Sequence, residues 1–580
     1  MTVSPPDSTR MVTELVRLHQ ALQEISLPLD LEGVAATRKA HAEMISQLED
    51  YVIPRMMTID APLLTVVGGS TGAGKSTLVN SVVGTRVTAP GLLRPTTRSP
   101  VLVHHPDDVH WFGQDRLLPQ LHRVDHATND PKSLQLVAST LIKPGLAILD
   151  APDVDSVEEQ NRILAAELLA AADLWLFVTS AARYADQVPW EFLKLAAERS
   201  TAVAVVLDRT PHEAVQTVAT HLARMLAARG LKDSPLFIVH EGKVSEDGLL
   251  PADHVAEIRG WLDMLADDAA ARQAVVTQTL DGAVRALTFN VHKVADDAST
   301  QAAAATQLRD EAQTVYDESV ARVTAATADG SLLRGDALAR WQEFVGTGDL
   351  LRSLEERPSG LRDRMVGAIK GKPQQAEGVG AALGSALELL ILERAESAAE
   401  RARRAWEQTP AGRSLLGESA ADLGRASRAL RSKAERAVAG WQTTVLGLVR
   451  AEGDEKRNTA RFLAYGAHGL GVALMVEVLA GANSASQETA ALGRQLLEAV
   501  FGEEAVGRMR EDARGSLAAA VHDLLGEERD RFTGMLDRMV IDSDAPARLR
   551  HAARRVDDVR WASLRRSGPD STGTGTATAR

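Results

Sequence analysis

The sequence of 580 residues contains no cysteine, and aromatic residues make up only 4% of it. Without thiols the chain can form no disulfide, thiolate metal site or cysteine nucleophile. The first ten residues, MTVSPPDSTR, contain no apolar run, so no secretory signal peptide is expected there. Both absences are typical of a cytoplasmic protein, which is the location we expect.

The chain is also short of positive charge, with 65 Lys and Arg against 78 Asp and Glu, a net charge of −13. A general nucleic-acid binder needs a basic face to neutralise phosphates, so nucleic acid is not an expected partner. Ala, Leu, Arg and Glu dominate long stretches instead, and these residues lose little entropy in helices.

Strand-like patterns are confined to residues 60–265, where they alternate with helical patterns. Six short runs there are almost wholly apolar, as strands buried on both faces are: LLTVV (63–67), VLVHH (101–105), LAIL (146–149), LWLFV (174–178), AVAVVL (202–207) and LFIV (236–239). Strands that alternate with helices predict an α/β domain, a mostly parallel sheet flanked by helices.

Helical periodicity dominates the rest of the chain. We therefore divide it into an N-terminal helical segment (1–58), the α/β domain (59–266), a long all-α helical bundle (267–566) and a tail of disordered composition (567–580). At this length about three or four domains, or fewer long helical ones, are expected.

The strongest motif follows the first predicted strand. In LLTVVGGSTGAGKSTLVN the pattern G-x-x-x-x-G-K-[ST] of a P-loop is matched, and glycines let backbone N–H groups turn toward phosphate oxygens. The helix N-terminus adds partial positive charge. Lys75 is expected to bridge the β- and γ-phosphates, and the Ser76 hydroxyl to bind Mg²⁺. The predicted phosphate site comprises Gly69, Ser70, Thr71, Gly72, Ala73, Gly74, Lys75, Ser76 and Thr77.

Two further segments are placed to complete a magnesium site. Asp150 ends the LAIL strand, and a carboxylate at the end of a neighbouring strand points into the same crevice as the P-loop, where it could hold the metal through water. The segment LLRPTTRSP (92–100) precedes a strand, as a loop that senses γ-phosphate would. Thr97, beside Arg98, is the favoured residue to close over Mg²⁺ and γ-phosphate, with Thr96 as the alternative.

These motifs together resemble the G domain of translation-factor-related GTPases, in particular the bacterial dynamin-like proteins. GKSTLVN closed by Asn80, RPTTRSP and LDAPD are similar to the P-loop, switch loop and D-x-P-G element of that class. The helical segments on both sides resemble a dynamin neck and stalk, and the whole chain, including RWQEFVGTGDLL (340–351), is similar to actinobacterial members.

That resemblance implies a GTPase that hydrolyses GTP with Mg²⁺ and pairs through its G domain. It also implies stalk oligomers or coiled coils at an anionic membrane surface, for remodelling or septation. The expected partners are a guanine nucleotide, other copies of the chain and a paralogous dynamin-like protein. The expected location is then cytoplasmic and peripheral, at the inner face of the cell membrane.

The sequence departs from the family pattern in ways that leave an alternative open. Asp153 stands where the family has Gly, in the element that senses γ-phosphate. The base-reading element Asn/Thr-Lys-x-Asp is replaced by DRTP (208–211), which leaves Asp208 and Arg209 as candidates for base reading. Turnover is then slow, or the chain is a nucleotide-regulated scaffold that recruits a partner protein without significant turnover.

Other positions bear on hydrolysis. Thr71 stands where dynamins place Gln, and no Gln follows Asp150 in the next few residues. Hydrolysis is therefore expected to be slow, or to be completed by a partner copy across a G-domain dimer. Arg98 and Arg183 are candidates for stabilising charge on the transferred phosphate, although an ordinary salt-bridging role is the simpler interpretation of each.

Two helical segments have open alternatives. The apolar segment 462–482 is long enough to cross a bilayer but contains His468 and Glu477, so it is bundle core, a membrane-interacting tip or a transmembrane helix. The basic segment 547–566 either binds anionic lipid or packs as a return helix beside residues 11–57.

Overall fold

The computed structural model describes residues 5–88, 99–114, 116–118, 120–128, 130–155, 159–198, 201–345, 373–419, 422–453, 460–480 and 487–567. The chain forms two compact units. Unit 1 comprises Met1–Leu27, Gly33–Ser299 and Asp542–Arg580, and unit 2 comprises Pro28–Glu32 and Thr300–Ile541. Helices from both ends of the sequence thus belong to the same unit as the α/β region.

Unit 1 is built around an eight-stranded sheet. In chain order its strands are β1 (Leu63–Gly69), β2 (Val101–His104), β3 (His122–Val124), β4 (Ser133–Ala138), β5 (Leu146–Asp150), β6 (Leu174–Ser180), β7 (Ala202–Thr210) and β8 (Leu236–His240). The spatial order is β3-β4-β2-β5-β1-β6-β7-β8. Among these described strands the β2–β5 pair is antiparallel and all other pairs are parallel. The predicted fold class, a mostly parallel sheet with a long helical region, is confirmed.

The six predicted strands all form, and the apolar side chains of five of them are buried on both faces of the sheet, whereas β8 alternates between buried and half-buried residues. Two strands were not predicted. β3 is a three-residue edge strand with no buried residue, and the last four residues of β4 are partly or fully exposed. Neither presents the continuous apolar run that identified the other strands.

Helices surround the sheet and extend unit 1. They are Pro5–Gln23, Val34–Gln47, Ile53–Met57, Lys75–Val83, Glu159–Ala170, Gln187–Glu198, Val215–Ala228, Ala252–Asp267 and Ala545–Ser567, with a π-helical turn at Leu48–Val52 and a 3-10 helix at Pro106–Trp111. The 60-residue helix Ala269–Ala328 begins in unit 1 and contributes its residues from Thr300 onward to unit 2.

The basic C-terminal helix packs against the N-terminal helix within unit 1. Arg555 pairs with Glu14 of the helix Pro5–Gln23 at 2.6 Å, and Arg548 pairs with Glu24, the residue after that helix, at 2.7 Å. Arg560 pairs with Asp281 on the long helix. Three of the arginines that suggested a lipid-binding surface therefore have acidic protein partners, as expected for the return-helix alternative.

Unit 2 is helical in its described part. Besides the end of the long helix it contains Gly335–Val345, Pro373–Glu407, Pro410–Glu418, Leu430–Gly453, Ala460–Leu479, Gln487–Phe501 and Glu503–Asp537. Its core surrounds three fully buried tryptophans, Trp341, Trp406 and Trp441. One described helix, Gln374–Glu407, is long and apolar enough to cross a membrane by length and composition, a test that core helices of bundles also pass.

The apolar segment 462–482 lies partly in the described helix Ala460–Leu479, which kinks at Gly466. From Gly469 to Ala480 every residue is buried. Glu477 is buried there and pairs with Arg494 and Arg510 at 2.9 and 3.3 Å. In this conformation the segment is bundle core, which leaves its membrane role a prediction.

Candidate functional site

The glycines of the predicted P-loop occupy positions that a side chain could not. At Gly69 a Cβ atom would lie 2.0 Å from the carbonyl oxygen of Val178, and at Gly74 it would lie 2.2 Å from Asp208 Oδ2. Gly74 also has a φ of 92°, in the left-handed region that favours glycine. The loop therefore connects β1 to the helix Lys75–Val83 along a path that depends on glycine.

Lys75 lies inside this loop and is buried, with 5% of its side chain exposed. Its Nζ donates to the carbonyl oxygens of Gly69 and Ser70 at 3.1 and 3.2 Å. It also forms an ion pair with the buried carboxylate of Asp153. The structure thus brings together the P-loop lysine and the residue that replaces the family's glycine.

Asp150 ends β5 in the strand next to β1, with Val67 as its partner in the sheet register. The side chain is fully buried, and the Ser76 and Thr88 hydroxyls lie close enough to lower its pKa, but among the described residues no donor reaches either carboxylate oxygen in good hydrogen-bonding geometry. Burial raises the pKa of Asp150 to about 6, against the opposing influence of the nearby Ser76 hydroxyl and the Lys75 ammonium. An orphaned carboxylate beside Ser76 fits a magnesium site, since Mg²⁺ takes one or two carboxylates plus phosphate and water oxygens.

A second acidic residue of the same loop contacts the P-loop. Asp155 Oδ1 accepts hydrogen bonds from the backbone N–H and the hydroxyl of Thr71 at 2.6 and 2.7 Å. Arg183 Nη1 donates to Asp155 Oδ2 at 3.0 Å. Arg183 is therefore near the P-loop but is engaged in a salt bridge, as the simpler interpretation expects. Asp155 is not among the predicted site residues, although the acidic run LDAPDVD (149–155) points to this loop.

The part of the chain that contains this site matches a known protein family. Residues 65–209 match the dynamin family. This span begins within β1 and ends within β7, so it contains the P-loop, Asp150, Asp153 and Asp208. No curated protein sequence matches the chain.

Two solved structures of an oligomerised bacterial dynamin pair are similar over most of their length. One is 10% identical with a TM-score of 0.42, and the alignment covers 97% of this chain and 96% of that chain. The other is 10% identical with a TM-score of 0.41 and 92% coverage of both chains. That pair is described as a mechanism for the long-range sensing and tethering of membranes.

At the end of the dynamin-like region, Asp208 and Arg209 lie against the P-loop at Gly74. Asp208 Oδ1 accepts from the N–H of Arg209 at 2.7 Å, and Arg209 has a φ of 51°. Burial raises the pKa of Asp208 to about 6, against the opposing influence of Arg209 and His254. These residues are in reach of the P-loop, and their role in reading the base stays a prediction.

The residues that follow the helix Lys75–Val83 are held by one of its side chains, Asn80. Asn80 Oδ1 accepts from the N–H groups of Val87 and Thr88 at 2.8 and 2.9 Å, and Asn80 Nδ2 donates to Thr88 O at 3.0 Å. This gives a physical role to the Asn that closes GKSTLVN. Thr96, Thr97 and Arg98 lie outside the described residues, so their assignment as switch and metal residues stays a prediction.

Proposed function

We propose that the chain is a Mg²⁺-dependent nucleoside triphosphatase of the dynamin-like type, with GTP as its substrate. The observation that carries the proposal is the state of Asp150. A fully buried carboxylate without a donor among the described residues is costly unless a cation binds it. It lies one strand from a glycine-dependent loop and near Lys75 and Ser76, which are the groups that a metal-bound triphosphate needs.

In this proposal the loop Gly69–Thr77 and the helix N-terminus hold the phosphates through backbone N–H groups. Lys75 would contact the β- and γ-phosphates. Ser76, Asp150 and Thr97 would hold Mg²⁺, which would neutralise negative charge on the phosphate oxygens. Thr96 is the alternative to Thr97. Water attacks the γ-phosphate, Arg98 lies in the switch, and Asp208 and Arg209 face the base. Guanine is proposed from the match of residues 65–209 to the dynamin family.

The dynamin match also supports a proposal about assembly. We place self-association in the G domain and the helical stalk, with a paralogous dynamin-like chain as a further partner and an anionic membrane as the surface. The chain is then cytoplasmic and peripheral at the inner face of the cell membrane. Co-sedimentation with anionic and neutral liposomes, with and without nucleotide, tests this part. Equal recovery in the supernatant under all conditions contradicts it.

One observation favours a second candidate, a nucleotide-regulated scaffold without significant turnover. The carboxylate of Asp153 is buried against Lys75, in the element that senses γ-phosphate in the family. A carboxylate retained there opposes the approach of a phosphate because like charges repel strongly at short range.

Two assays on the purified chain separate these candidates. Competition of fluorescent GTP by GTP, ATP and GDP with Mg²⁺ identifies the nucleotide. Single-turnover hydrolysis, with and without liposomes, measures the chemical step, and Lys75→Ala is the control that removes the phosphate contact. Binding with turnover that Lys75→Ala abolishes supports the enzyme. Binding without turnover in either condition supports the scaffold, and no binding contradicts both.

A further inference from the structure

The P-loop lysine has all of its donors engaged by the protein. An ammonium group has three N–H donors, and Lys75 Nζ contacts three acceptors, namely Gly69 O, Ser70 O and Asp153 Oδ1. A phosphate oxygen reaches this group only by displacing one of them. The two carbonyls belong to the loop backbone, so the Asp153 side chain is the acceptor that can rotate away.

A second carboxylate occupies the same loop from the same segment. Asp155 is two residues from Asp153 and takes both the backbone N–H and the hydroxyl of Thr71, and its other oxygen holds Arg183. The segment that contains Asp153 and Asp155 therefore places a carboxylate on two groups of the P-loop, the Lys75 ammonium and the Thr71 backbone N–H.

The carboxylates of Asp153 and Asp155 compete with the phosphates of a nucleotide for Lys75 and Thr71. Each has negatively charged oxygens that accept charge-assisted hydrogen bonds, so a phosphate can replace Asp153 at Lys75 or Asp155 at Thr71. A phosphate and a carboxylate cannot share one of these groups in a buried site, because like charges in contact repel more strongly there than in water. A phosphate must then displace a carboxylate in order to bind, because the groups that would bind it are already occupied.

We infer that Asp153 and Asp155 are internal competitors for the phosphate tail, which leave Lys75 and Thr71 when a nucleotide binds. This inference rests on the proposed function and concerns the regulation of the same site. The exchange lowers the affinity of the chain for its ligand. It also couples binding to a movement of segment 150–155, which releases Arg183 from its salt bridge.

Calorimetric titration of the full chain tests the competition. The probes are MgGTP and inorganic triphosphate with Mg²⁺, which lacks the base. Asp153→Asn is expected to bind both probes about tenfold more tightly than the wild type, since a charged competitor becomes a neutral one. Asp155→Asn, which leaves the Lys75 ion pair intact, is expected to gain about threefold.

The matched control is Asp125→Asn, which removes the same charge from a side chain that is 99% exposed and follows edge strand β3. Its affinity is expected to stay within about twofold of the wild type, because exposed charges are screened by salt. An equal gain in all three variants would show a general charge effect and overturn the inference.

A nucleotide-free measurement tests the contact itself. Asp153→Asn is expected to lower the thermal midpoint by about 5 °C in the wild-type background, because it leaves Lys75 buried without a counter-ion. In the Lys75→Met background the same change is expected to raise the midpoint, because Asp153 is there a buried charge without its lysine partner. If Asp153→Asn lowers the midpoint equally in both backgrounds, its effect does not come from the Lys75–Asp153 contact, and the inference is wrong.

The outcomes separate this inference from the proposed function. If the wild type binds MgGTP and Asp153→Asn binds it no more tightly, the inference is wrong and the proposed function stands. If neither the wild type nor any variant binds MgGTP, the proposed function is wrong. If Asp153→Asn binds MgGTP and the wild type does not, the inference and the proposed function are both supported. The Asp153 carboxylate then competes strongly enough to prevent binding.

Discussion

Two buried aspartates at opposite ends of one sheet differ in their partners. Asp173 directly precedes β6, at the amino end of the strands, and its oxygens accept from Arg55 Nε at 2.8 Å, Leu64 N at 2.9 Å and Tyr51 OH at 3.3 Å. Asp150 ends β5, at the edge that holds the P-loop. Its oxygens have no hydrogen-bond partner within the described part of the chain.

In our proposal the difference distinguishes a structural carboxylate, Asp173, from a metal-binding one, Asp150. Buried polar groups in folded proteins are nearly always satisfied, so an unsatisfied one requires an explanation. The hydroxyls of Ser70 and Thr88 are buried and unsatisfied as well, as far as the described residues show. Asp173 connects the N-terminal helices to the sheet, whereas we propose that the groups around Asp150 bind a ligand.

The largest expected effect is on the structural side of this comparison. Asp173→Ala should lower the free energy of unfolding by about 3–5 kcal/mol, because it leaves the buried guanidinium of Arg55 without its counter-ion. Urea denaturation followed by circular dichroism measures this loss, with Asp125→Asn as an exposed control. A loss below about 1 kcal/mol would mean that the Asp173 network is not a structural anchor.

The opposite profile is expected for Asp150→Asn. Hydrolysis should fall by about 100-fold, since the metal loses its carboxylate ligand. Stability without nucleotide should rise by about 1 kcal/mol, because an unsatisfied buried charge is removed. Single-turnover kinetics and urea denaturation of the same preparation measure both. If Asp150→Asn lowers the free energy of unfolding as much as Asp173→Ala does, the proposed difference between the two aspartates is wrong.

A smaller effect, which depends on pH, is expected at Asp208. Its pKa is raised from 3.8 to about 6 in the folded chain, so the folded state binds this proton more tightly and is destabilised as the pH rises through that range. At about 1.4 kcal/mol per pH unit the ceiling is about 3 kcal/mol. Asp208→Asn is expected to recover part of this, about 1–2 kcal/mol at pH 7.5.

This gain should shrink as the pH falls toward 4.5, where Asp208 is protonated in the folded state. Urea denaturation at the two pH values measures it. A gain that is constant with pH, or one that grows in acid, would show that the ionised carboxylate is not what the variant relieves.

The sequence predicted the parts of this molecule that depend on local pattern. Continuous apolar runs identified six strands and the glycine spacing identified the loop before Lys75, because burial on two faces and positive φ angles restrict residue type locally. β3 and β4 lack such runs, so they were missed. The partners of Lys75 and Thr71 could not be predicted, since Asp153 and Asp155 reach them from a loop about 80 residues away that only the folded sheet brings close.

Calorimetric titration of MgGTP into the nucleotide-free chain tests the central claim most directly. We expect a saturable binding heat that fits one site per chain. The binding should weaken when Mg²⁺ is removed with EDTA, and it should be absent in a folded Lys75→Ala chain. A wild-type chain that gives no heat, or a Lys75→Ala chain that gives the same heat, would contradict it.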